Sequence, residues 1–203
     1  MALATPPAGA ALVDAVLAEV AGQPVTASDV ALARALGLFG LSPSAASIRT
    51  GDLDTLIAAR LEVAEAERLD ISVAPEERER AWQAAAVRLG GAEPLAAWLG
   101  RAAVEPAWAR RLVEQDLVRQ RFVDLRFRSF VFVTERQVLD SLGPGEHPAA
   151  ARERARERLR EAETERRRAE WRQEARARVP VRLLLGPGET VPCPLPMPAY
   201  DTR

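Results

Sequence analysis

The stretch EPAWARRLVEQDLVRQRFVDLRFRSF, residues 105–130, decides how the rest of the chain is read. Pro106 suits the first turn of a helix, where its missing N–H has no partner to lose, and neither Pro nor Gly occurs again before the stretch ends. The apolar residues fall in neighbouring pairs, Leu112/Val113, Leu117/Val118 and Phe122/Val123. Each five-residue step turns roughly 140° round a helix at about 100° per residue. A helix so patterned cannot bury its apolar side chains against one neighbour, so it is predicted as a central helix with partners on several sides. A merely amphipathic surface helix is the plainer alternative, because charged residues interrupt every face.

Working outward, 203 residues suit one domain, or one domain with a tail. A hydrophobic fraction of 48% supplies a core, and 28 basic against 29 acidic side chains leave a net charge of −1. So balanced a chain has no general attraction to nucleic acid, and its charge reads as solvated helix faces. Every basic residue is Arg, which a coding bias explains and which rules out lysine Schiff-base and P-loop chemistry. One cysteine, Cys193, allows no disulfide within a chain. No window approaches 18 continuous apolar residues, so no membrane span is expected.

Residues 1–12 are small and apolar without a basic leader, and are expected to be a disordered terminus or the remnant of an export signal. Residues 13–20 read as a short strand ended at Ala21-Gly22, although helix propensity competes there. Ser28-Asp29 supplies N-cap chemistry for a helix to Leu38. Leu53, Ile57, Leu61, Ala64 and Arg68 share one side of an amphipathic helix over 53–69. Pro75 restarts a helix carrying Trp82, Gly90-Gly91 stops it, and a short helix with Trp98 follows. Beyond the central stretch, 130–133 reads as extended, and Thr134 with Gln137 forms a capping box. Gly143 to Pro148 is a break.

Residues 149–178 then form a charged helix with 11 Arg and 7 Glu between 152 and 178. Pairs such as Glu163→Arg167 and Glu174→Arg178 support it by about 0.3–0.5 kcal/mol each. Ala151, Ala155, Leu159, Ala162 and Ala169 give it a thin apolar seam. Residues 179–185 have β character with an edge-type proline. The Pro-rich remainder, 186–203, is expected to be disordered.

Catalytic and metal chemistry finds little to work with. His147 sits in the Gly/Pro linker with no second histidine and no nearby cysteine, so no metal site is expected. No Walker, Rossmann or G-x-S-x-G pattern occurs, and no carboxylate pair stands out from the helix-surface runs. The Arg-rich helix is interleaved with Glu, which argues against a phosphate backbone as partner. The large aromatics Trp82, Trp98, Trp108, Phe127, Phe130 and Phe132 are enough for a core with one or two left to line a groove.

The order of elements resembles the SurA-type chaperone and foldase family of the bacterial cell envelope. VDAVLAEVAGQPVTASDV (13–30) is similar to its opening strand, turn and first helix. LDTLIAARLEVAEAERLDISVAPEERERA (53–81) is similar to its second helix and the start of the third, and EWRQEARARVPVRLLL (170–185) to its closing helix and return strand. The chain departs from the family at Ala21-Gly22, where Asn is frequent. It departs again at LGPGEHPAA, where a parvulin isomerase domain commonly sits, so isomerase catalysis has no residues here to carry it.

The resemblance implies a mostly α fold around the long helix, with a small sheet formed by 14–20 and 179–185. It spans 13–185, with the linker at 143–149. The function it implies is a non-enzymatic periplasmic holdase, without cofactor or metal. Such a protein would bind unfolded or extended segments of exported and outer-membrane proteins beside the central helix. Trp98, Trp108, Phe127 and Phe130 are the candidate peptide-binding residues. The alternative is a helical scaffold that binds one dedicated partner or a second copy of itself.

Overall fold

Ala21 and Gly22 set the chain reversal from which the sheet grows. The computed structural model describes residues 14–145 and 147–198. β1 (Val16–Val20) returns through these two residues into β2 (Gln23–Thr26), and both have positive φ, 52° and 81°. A two-residue hairpin needs that geometry for its twist to match the strands. Alanine adopts it at a cost of roughly 1–2 kcal/mol, and its N–H donates to the Pro180 carbonyl at 3.0 Å.

Thr26 and Asp29 form a reciprocal capping box, two residues earlier than Ser28 suggests, and start α1 (Ala27–Leu36). This helix is buried over its whole length. Arg34 within it is kept by Asp52 and by the carbonyls of Ala46 and Ser47, as a buried guanidinium requires. β3 (Ile48–Arg49) leads into α2 (Thr50–Arg68), followed by α3 (Pro75–Arg88), α4 (Ala92–Arg101) and α5 (Pro106–Arg126). The last residues of the opening stretch leave the helix as a 3-10 turn, Arg128–Phe130. α6 (Glu135–Leu142), with the expected Thr134–Gln137 box, and α7 (Ala149–Arg178) follow, then β4 (Val181–Leu183) and β5 (Thr190–Val191).

The predicted fold class is the observed one: mostly helical, with a small antiparallel sheet that joins the two ends of the chain. β1 lies between β2 and β4, with Ala18 opposite Leu183 and Val20 opposite Val181. α5 packs on α1, α2, α3 and the 3-10 turn, so it has partners on several sides. Its buried residues include one charge, Asp116. That carboxylate accepts from Phe39 N–H at 3.2 Å, Arg119 Nε at 2.8 Å and Gln120 Nε2 at 2.8 Å. The most enclosed helix is α1 rather than α5, because the sheet, α2 and α5 all close on it.

α7 is attached differently from the expected alanine seam. Of that seam only Ala155 is buried; Ala162 and Ala169 face solvent, and the buried side is completed by Thr164, Trp171 and Ala175. Trp171 joins Phe122 and Phe127 in an aromatic cluster, with centroids 5.3 and 6.1 Å away. Above it Glu62 of α2, 0% exposed, receives Arg168 Nη2 at 3.1 Å and Arg172 Nε at 2.9 Å, with Arg119 Nη1 at 3.6 Å. Outer-face arginines behave as the sequence suggests: Arg166 and Arg167 hold the Glu163 carboxyl down at about 2.

The expectation of a disordered tail does not hold over the described residues 186–198. Val191, Leu195 and Met197 pack against the core, and Thr190–Val191 pairs with Ile48–Arg49. Apolar side chains alternating with prolines need no periodic helix or sheet to bury one edge. Residues 1–12, and 199–203 of the tail, lie outside the described residues.

Replacing Glu62 removes the buried acceptor shared by Arg168 and Arg172 of α7 and approached by Arg119 of α5. Glu62→Ala is expected to cost about 3–5 kcal/mol in urea unfolding. Glu163→Ala, on the outer side, should leave the urea midpoint nearly unchanged, and similar losses in the two variants would contradict this placement.

Candidate functional site

The hairpin, α2 and α5 meet without filling the space between them, leaving a groove of about 570 Å³. The hairpin contributes Val20 and Val25 with Gln23 and Pro24 beside them. From α2 come Val63 and Ala64 at successive positions, with Arg60 one turn earlier and Glu67 one turn later. α5 supplies Trp108, Arg111, Leu112 and Gln115, a set spaced three and four residues apart. The groove therefore has an aliphatic floor, one indole, and two arginines, two glutamines and one glutamate on its walls.

Its polar groups are partly committed. Asp29, already the acid of the α1 capping box, accepts from Trp108 Nε1 at 3.3 Å and lies 3.5 Å from Arg60 Nη2. Arg60 Nη1 donates to Gln115 Oε1 at 2.6 Å, while its buried Nε has no partner among the described residues. Arg111 is exposed on the same wall and makes no hydrogen bond or ion pair among the described residues. Such a surface offers donors to peptide carbonyls and an apolar floor to side chains. Its ionisable lining side chains among the described residues are Arg60, Glu67 and Arg111.

Of the four residues proposed from the sequence, the groove takes in one, Trp108. Trp98 is 2% exposed, and its Nε1 donates to the Pro196 carbonyl at 2.8 Å beneath the folded tail. Phe127 is 5% exposed and stands edge-on to Phe122 at 5.6 Å in the aromatic cluster. Both are core, for a reason that composition does not reveal: the tail covers one and α7 covers the other. Phe130 is 61% exposed at the α5–α6 corner beside Phe132, 83% exposed, away from the groove. A shallower hollow at this corner is lined by Asp124, Arg128, Phe132 and Arg160.

Sequence reasoning missed Val25, Val63, Arg60, Arg111 and Gln115. The i, i+3, i+4, i+7 spacing of Trp108, Arg111, Leu112 and Gln115 marks one face of α5, but nothing local says which face stays uncovered. Among the described residues, no group of three or more His, Cys, Asp or Glu side chains is placed to hold a metal ion. No helix there is long and apolar enough to cross a membrane.

Because Asp29 joins the α1 cap to the groove wall, its loss should register in both. Asp29→Ala is expected to lower stability by about 1–3 kcal/mol and to shift tryptophan emission as Trp108 loses its acceptor. An unchanged emission spectrum with unchanged stability would show that this contact positions nothing. No family model matches the chain, and no curated protein matches it.

Proposed function

We propose that the protein is a holdase that binds extended apolar segments of unfolded polypeptide in the groove between the hairpin, α2 and α5. The observation that carries this reading is the groove itself. It is an open groove in which Trp108 and Ala64 lie over the nearly buried Val20, Val25, Val63 and Leu112, with Arg111, which has no partner among the described residues, exposed on its wall. Peptide main chain presents carbonyl acceptors wherever an extended segment lies, whatever its side chains, so arginine and glutamine donors suit clients of many sequences. Apolar side chains would supply most of the affinity by leaving water. A micromolar Kd, about −8 kcal/mol, would permit release without nucleotide or cofactor.

The acid–base surface of α7 suits this role by keeping a loaded complex soluble. The cell envelope is the proposed location, and exported or outer-membrane proteins the proposed clients. Both rest on the resemblance of 13–30, 53–81 and 170–185 to the SurA-type family.

A second reading has its own support. Leu125 near the end of α5, and Phe130 and Phe132 just beyond it, are each exposed, and large apolar side chains in water suit a docking corner for one dedicated partner or a second copy. The scaffold reading predicts co-purification with one protein at fixed stoichiometry, whereas the holdase reading predicts similar weak binding to many unrelated peptides.

Two substitutions separate them. Ala64→Glu places a carboxylate on the groove floor and is expected to weaken binding of apolar peptides at least about ten-fold, or roughly 1.4 kcal/mol. It should also abolish the suppression of aggregation of an unfolded outer-membrane client. Phe130→Ser should leave both intact. The reverse pattern would move the site to the corner.

A further inference from the structure

The sequence TVPCPLPMP, residues 190–198, places proline at every second position from 192. Each proline fixes its own φ near −65°, and each residue before a proline is pushed out of the helical region towards extended backbone. The whole segment is therefore close to its bound shape before it touches anything. Its burial is uneven. Val191, Cys193, Pro194, Leu195 and Met197 are half-buried and Pro198 is buried, while Pro192 and Pro196 are exposed. Glu189 sets the entry by accepting from Gly186 N–H at 2.7 Å, and Thr190–Val191 pairs with β3. At the far end the carbonyl of Pro196 accepts from Trp98 Nε1 at 2.8 Å.

A tryptophan N–H donating to a carbonyl between prolines, beside an apolar surface that takes the segment's aliphatic side chains, is a general way of reading proline-rich peptide. We infer that the face of α4 around Trp98 is a seat for proline-alternating extended peptide, and that residues 190–198 fill it as a built-in competitor for such segments of other chains. The seat stands apart from the groove, which uses Trp108 and not Trp98.

Tethering decides who occupies it. Only residues 184–189 separate the strap from β4, so its effective concentration at the seat is about millimolar. A peptide of equal intrinsic affinity must reach several millimolar to displace it. The strap thus excludes weak segments and yields to a strong or multivalent one.

The test uses the full chain in two arms. The probe is a fluorescent synthetic peptide with the sequence of residues 189–198, carrying serine in place of the cysteine. In the first arm, Leu195→Asp with Met197→Asp charges the inward edge of the strap. The probe is expected to bind this variant at least ten-fold more tightly than wild type, and adding Trp98→Phe should weaken that binding about five-fold by removing the N–H.

The second arm needs no substitution, and decides the matter if circular dichroism shows the variant unfolded. Cys193 is the chain's one cysteine and lies in the strap, its Sγ 3.4 Å from the Leu195 carbonyl. Unlabelled peptide at several millimolar should raise its rate of thiol modification several-fold, and a peptide with Asp at both inward positions should not. Equal probe affinity for wild type and folded variant, or a Cys193 rate indifferent to the peptide, would overturn the inference.

Discussion

A carboxylate buried in the middle of the protein, that of Glu62, holds the two halves of the chain together. It sits on α2 and receives guanidinium groups from α7, with a third from α5 at 3.6 Å. Removing such charges from water is costly, so the arrangement is stable only as a set. Glu165 completes it from outside, reaching Arg168 Nη1 and Arg172 Nη1 at 2.7 Å each. The directional network fixes the rotation and height of α7, which apolar contact through Trp171 alone would leave less defined. With α7 fixed, β4 arrives beside β1 in register, and the turn at Ala21-Gly22 is held by Pro180. The hairpin is thereby presented at a set distance from α2 and α5, and the gap between them is the groove.

The groove follows from the same constraint as the core. α1 is enclosed so fully that the sheet, α2 and α5 are occupied on their inner sides, and their outer edges meet without a further element to cover them. Asp29 joins the two regions, capping α1 and holding Trp108 at the groove wall. Rigid walls suit weak binding of extended chain, because little conformational freedom in the protein is lost on contact. The Trp98 surface differs in kind, being already occupied by a segment that its prolines pre-shape.

Much of the architecture was legible in the sequence because it depends on local signals. Pro106, Pro75 and Thr134 start helices where expected, Ala21-Gly22 turns the hairpin, and 179–185 supplies the returning strand. What was illegible depends on partners far along the chain. The arginines of α7 look the same in sequence whether they pair with glutamates on their own helix or, like Arg168 and Arg172, reach across to α2. The alanine seam failed because one tryptophan, Trp171, outweighs several alanines in buried area. Of the candidate site, Trp108 was identifiable as an aromatic on the central helix. Trp98, Phe127 and Phe130 could not be sorted into core, covered or exposed, since that is decided by the strap, α7 and the α5–α6 corner.

Photo-crosslinking of an extended apolar peptide to the wild-type protein, with the attachment sites mapped by mass spectrometry, tests the central claim most directly. The account predicts attachment within residues 20–25, 60–67 and 108–115, the three walls of one groove. Attachment confined to residues 125–132, or spread without preference over the helical surface, would contradict it.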